Sequence, residues 1–158
     1  DRAPLDEAFA SAMADVYARF PTDGDVGSLY AEALLDLHPW DLWTHDGEAK
    51  PWTPQVVALL EDVLRRHPEH PLALHLYIHA VEASNDPGLA DEAADRLRDL
   101  MPGLGHMVHM PSHIDVRRGR WEEAIVANTK AVEADRRFHL PSSRSARPGT
   151  TSSRWRCR

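Results

Sequence analysis

The sequence holds a single cysteine, Cys157, next to its last residue. No disulfide can form within the chain, and no thiol pair is present to hold a metal. No apolar run approaches the length that spans a bilayer, so no membrane association is expected. The opening residues, Asp1-Arg2-Ala3-Pro4, lack the charged-then-apolar pattern of a secretory signal, and the cytoplasm is the expected compartment. Gly-rich phosphate loops and Gly-x-Ser-x-Gly elbows are missing, and Ser112, though beside His109 and His113, has no third group to complete a triad. Positive charge is scarce: 18 Lys and Arg stand against 25 Asp and Glu, for a net charge of −7. Five of those arginines fall in residues 140–158, which hold no acid, so the remainder carries 13 basic and 25 acidic residues, a net of −12. An acidic body of this kind excludes nucleic acid as a partner, because phosphates demand a basic face.

What is present is helical pattern and histidine. The chain has 158 residues, 42% of them apolar, which suits one soluble domain. No stretch alternates as a strand would, so the class is all-α. Pro4 to Phe20 places Leu5, Phe9, Met13, Val16, Tyr17 and Phe20 on one face. Asp25 is the expected cap of a second helix running to Leu37, and Thr53-Pro54 the cap and first turn of a third, through Arg66. Further helices are expected from Pro71 to Ser84, from Asp86-Pro87 to Met101, over 106–118 with an interruption at Pro111, and from about Arg120 to Arg137. The helical domain therefore covers residues 1–138. Residues 139–158 are rich in Ser, Arg, Pro, Gly and Thr and are expected to be a disordered tail, either native or not the natural continuation of the domain.

The helix breaks at Phe20-Pro21, His67-Pro68 and Met101-Pro102 recur. Pro68 to Pro102 is 34 residues, and Pro21 to Pro68 is longer by 13, a surplus that matches an insertion at 38–52. Gly119-Arg120-Trp121-Glu122-Glu123-Ala124-Ile125, then Ala131-Val132 and Asp135, resembles the turn and second helix of a tetratricopeptide repeat, and Ala90 lies 34 residues before Ala124. Small Ala124 and Ala131 would allow close helix contact, with Trp121 and Ile125 filling the gap. The segments Leu74–Glu82 and Gly105–Ile114 resemble the middle of a longer bacterial group of tetratricopeptide-repeat proteins. That resemblance implies an α-α superhelix of about three repeats, whose first helices line a concave groove that takes a peptide or protein partner. It also implies a fragment of a longer array, whose uncapped repeat ends, with Leu5, Phe9 and Val132 short of neighbours, would self-associate.

Ten histidines are an excess for this length, and all but His139 lie between His38 and His113. Counted from each repeat proline, His75 and His109 are both at place seven, and His79 and His113 both at place eleven. His106 is at place four of its repeat and Glu82 at place fourteen of the one before. In the first repeat, Asp25, Ser28 and Glu32 occupy places four, seven and eleven. These places form one stripe along a helix, and the resemblance turns that stripe toward the groove. Adjacent helix axes about 8–10 Å apart leave room for an ion, or a close pair, between imidazoles that bond metals at about 2 Å. Three readings follow: a divalent metal site (zinc, iron, manganese or copper) on His75, His79, His106, His109, His113 and Glu82; a polar peptide-binding groove that includes Asp25, Ser28 and Glu32; or packing alone. His67 and His70 are read as an exposed turn. His-x-x-x-His without an adjacent Glu is no protease motif, so catalysis stays open. The insertion carries Trp40, Trp43 and Trp52 and is expected to be ordered, as a packed loop or as a wall at one end of the groove.

Overall fold

A computed structural model of the chain describes residues 2–139, and its regular elements are helices. The first, α1 (Ala3–Arg19), has Pro4 in its first turn, where a missing N–H costs nothing. It folds back onto α2 (Gly24–Asp36). The cap of α2 is Asp23 rather than Asp25: the Asp23 carboxylate accepts from the Val26 N–H at 3.0 Å, and Asp25 already lies inside the first turn. Next, α3 (Thr53–Arg66) buries Val56, Leu59, Leu60 and Val63, one apolar stripe of an amphipathic helix. Thr53 does not act as its cap. Its hydroxyl donates to the Leu42 carbonyl and ties the preceding loop to the helix.

The centre of the core is α4 (Pro71–Val81), which packs against α2 and α3 and against two of the helices that follow it. It buries Ala73, Leu74, Leu76, Tyr77, Ile78, Ala80 and Val81. Each of its large buried side chains contributes roughly 1.5–3 kcal/mol. His75 and His79 interrupt this apolar surface one turn apart. His70 caps α4, its Nδ1 accepting from the Ala73 N–H at 3.2 Å. His67 Nε2 lies 2.9 Å from the Thr22 carbonyl oxygen. Both rings are half-buried, not the exposed turn expected of them.

The helix expected from Asp86 to Met101 is shorter and split. A 3₁₀ turn, Pro87–Ala90, precedes α5 (Asp91–Leu97). Gly88 in that turn disfavours regular helix, and Pro102-Gly103 closes the segment. Then α6 (Gly105–His109) runs into α7 (Pro111–Arg117) with Met110 between them. Pro111 has no N–H to donate, so a new helix starts there. Met110 keeps helical dihedrals (φ −51°, ψ −41°), so no loop intervenes and His106, His109 and His113 stay in helical register. The last helix, α8 (Trp121–His139), packs on α6 and α7. Gly105 makes that approach possible: a Cβ there would come within 2.9 Å of the Ala131 carbonyl oxygen and collide with the Asp135 carboxylate.

A buried ion cluster locks α5 to α7. Asp115 is fully buried, and Arg98 donates to both its oxygens at 2.9 and 3.0 Å. Arg98 stays firmly protonated, the hydrogen bonds to Asp115 outweighing burial.

Ala124 and Ala131 are buried as expected, but Trp121 and Ile125 are 61% and 66% exposed and fill no gap between helices. Leu5, Phe9 and Val132 are also exposed, as their places at the two ends of the helical run suggested. The expected tail lies outside the described residues, apart from His139, which ends α8. Among the described residues no helix is long and apolar enough to cross a membrane.

Candidate metal centre

The two histidine pairs in repeat register meet across the face between α4 and the α6–α7 run. The ring centroids of His75, His79, His113, His109 and His106 form a closed circuit: 4.9 Å, 5.3 Å, 4.8 Å, 6.3 Å and back to His75 at 4.9 Å. Glu82, just past the end of α4, reaches between two of them. One of its oxygens lies 3.0 Å from His79 Nδ1, and the other makes a close contact with His113 Nδ1. Two sets of donor atoms come within 4.8 Å of one another: His75, His79 and His106, and His79, Glu82 and His113.

Protonation follows from the partners. A carboxylate only accepts, so His79 and His113 each donate an Nδ1–H to Glu82. Burial on its own would raise the Glu82 pKa, but the bonds from His113 and His79 outweigh it and hold the carboxyl at about 2. His109 Nδ1 lies 2.8 Å from Asn128 Oδ1, while the Asn128 amide nitrogen donates to the Ala124 carbonyl at 2.8 Å. His109 therefore also donates through Nδ1, with the Ser112 hydroxyl 3.3 Å away.

A neutral imidazole has one N–H. In the neutral form of His79, His109 and His113 the Nδ1 contacts place that N–H on Nδ1, and each Nε2 is then a lone pair. Two of these, on His109 and His113, are 2.9 Å apart. A proton shared between them, or a metal ion bound by both, makes that contact attractive. His75 Nε2 and His106 Nε2 form a second close pair at 3.1 Å. Two nitrogens bound to one tetrahedral ion at about 2.0–2.1 Å lie roughly 3.3 Å apart, close to both separations. Burial, followed by the neighbouring imidazoles His79 and His106, pushes the His75 pKa down to about 3, and burial followed by His79 lowers that of His106. These two rings are held neutral, the form that ligates a metal.

The first-repeat positions do not join this cluster. Ser28 is fully buried, its hydroxyl donating to the Gly24 carbonyl at 2.7 Å. Its burial removes it from any groove surface. Asp25 is exposed and pairs with His70 Nε2 at 3.0 Å. Glu32 is half-buried, its pKa raised by burial and then by Asp36. His38 stacks on Trp52 at 3.8 Å.

The 38–52 insertion brings one of its three tryptophans to the edge of this cluster. The Trp43 indole N–H donates to the Ala80 carbonyl at 2.7 Å, and that of Trp52 to the Asp41 carbonyl at 2.8 Å. Lys50 pairs with Asp41 at 2.9 Å. Trp40 does not share in that packing. It is 87% exposed, and at φ 60° it is the non-glycine residue with positive φ among the described residues. For a bulky side chain that conformation costs of order 1–3 kcal/mol. Its ring stands edge-on to His79, centroid to centroid 5.8 Å. Asn128, on α8, is a partner missed in the sequence.

Comparison of the chain with protein-family models, with curated proteins and with solved structures returns no match.

Proposed function

We propose that this chain is a tetratricopeptide-like helical scaffold whose inter-helix face binds a divalent transition-metal ion through imidazoles drawn from His75, His79, His106, His109 and His113. One observation carries the reading: the Nδ1 atoms of His79, His109 and His113 all face oxygen acceptors, which leaves their Nε2 atoms for a further partner, and two of these are 2.9 Å apart. Glu82 acts in this reading as the carboxylate that fixes two ring tautomers, the usual outer partner of a metal-bound histidine. Its charge offsets part of the ion's.

Imidazole donors without thiolates suit zinc, iron, manganese or copper. When bound, such an ion supplies Lewis acidity and acidifies a water in any coordination position the protein leaves open. The chain's own residues keep His75 and His106 neutral, orient the other rings through Glu82 and Asn128, and partly exclude solvent.

The test is a thermal melt with and without added zinc or cobalt. At a hundredfold excess over Kd, an ion that binds only the folded chain adds about 2.7 kcal/mol, or roughly 10 °C for a domain of this size. His75→Ala combined with His109→Ala should abolish the shift. The control is His45→Ala, an exposed loop histidine, because His67 and His70 hold structure. No shift in the parent chain sinks the proposal and leaves the histidines to packing or to a peptide partner.

A further inference from the structure

We infer that Trp40 is the wall of a small-molecule subsite beside the metal centre. The ligand class assigned to it is a flat aromatic group joined directly to an anionic metal-binding head. The inference rests on the metal reading above and goes beyond it by naming what the ion binds.

The argument starts from how the insertion is held. Residues on both sides of Trp40 are fixed. His38 accepts a backbone bond from Asp41 at 3.0 Å and stacks on Trp52. Asp41 is tied through its carbonyl to Trp52 and through its carboxylate to Lys50. Leu42 is buried, and Trp43 is bonded to Ala80, the residue after His79. This framework leaves the Trp40 backbone in the left-handed region and sends its ring out of the core. A loop that packs two indoles and exposes a third in a strained conformation is not explained by packing. Strained residues held by a rigid frame mark binding sites more often than chance.

Position supplies the second half. The Trp40 and His79 rings are perpendicular, at 86°, and meet at 5.8 Å. His79 is shared by both sets of metal-capable donors. Trp40 thus stands upright beside one imidazole of the cluster. A donor atom bound to the ion would place a group attached directly to it within stacking reach of the indole, whereas a long spacer would carry the group past it. The head is anionic because a dication against one carboxylate, Glu82, leaves positive charge. An aromatic or similarly flat group is favoured because indole faces stack with such rings.

The experiment uses the full chain loaded with cobalt(II) and titrated with benzohydroxamate or acetohydroxamate. The two share one anionic chelating head and differ in the phenyl ring. The visible spectrum of the ion reports binding of each. Benzohydroxamate should bind about five- to tenfold more tightly, the range expected for one aromatic stack. Trp40→Ala should remove that preference while leaving cobalt content and acetohydroxamate affinity unchanged, and Trp40→Phe should keep most of it. Equal affinities in the parent chain, or a preference that survives Trp40→Ala, overturns the inference and leaves the metal site standing. A chain that takes up no cobalt overturns the metal reading, and the subsite falls with it.

Discussion

Replacing Glu82 with glutamine removes one charge and almost no volume, so the fold is retained while the tautomer control is lost. In the native chain both carboxylate oxygens accept, one from His79 Nδ1 and one from His113 Nδ1. A glutamine amide offers one oxygen and one NH2 group. It can still accept from one histidine, but it must donate to the other. The second ring then has to carry its proton on Nε2, the atom needed for the metal. One imidazole is thereby lost as a ligand unless the amide turns away. Changes to the carboxylate behind a metal-bound histidine typically cost 10- to 100-fold in affinity, which is about 1.4–2.8 kcal/mol. Zinc affinity measured against a chromophoric chelator should fall within that range for Glu82→Gln, with the helical circular dichroism unchanged. An affinity within twofold of the parent would refute the assigned role of Glu82. Loss of helix content would mean that the carboxylate is structural.

The metal-free chain should lose stability on acidification in two overlapping windows. The folded pKa of His75 is depressed to about 3 from 6.5, so below 6.5 the unfolded chain takes up a proton that the folded chain refuses. Glu82 is depressed to about 2 from 4.5, so its contribution is full above 4.5 and is lost as pH falls toward 2. Melts of His75→Gln should therefore show a shallower slope than the parent between pH 6.5 and about 4; an unchanged slope would show that His75 does not carry the effect. Gly105→Ala should destabilise the fold by about 1–3 kcal/mol through overpacking of α6 on α8 and should weaken metal binding by displacing His106, whereas a neutral effect on both would place that helix contact elsewhere. Asp115→Ala should cost about 3–5 kcal/mol in urea unfolding, because it leaves Arg98 half-buried without its bidentate partner; a loss under 1 kcal/mol would mean that the cluster is solvated.

The parts legible in the sequence were those set by short-range periodicity. The stripe Val56, Leu59, Leu60 and Val63 identifies α3, and the matching places of His75, His79, His109 and His113 pick out rings that meet in the fold, because helices of similar phase present the same place to each other. The split of α6 from α7 followed from Pro111 alone. What escaped was set by packing between elements. Asp23 and Asp25 are equally good caps on paper, and only the path of the Pro21 turn decides between them. Glu82 was legible as a neighbour but not as a bridge, since that depends on how the end of α4 faces α7. Asn128 sits in an ordinary solvent-facing pattern on α8 and becomes a partner of His109 only once α8 packs on α6. Trp40, Trp43 and Trp52 are alike in composition, and only the folded loop separates two anchored indoles from one exposed ring.

The most direct test of the central claim is elemental analysis of the chain purified at neutral pH without a polyhistidine tag or a chelating column. The account predicts at least one equivalent of a first-row transition metal, retained on dialysis and lost when His75 and His109 are both changed to alanine. A chain that contains no such metal, and takes up none from micromolar zinc or cobalt, would contradict it.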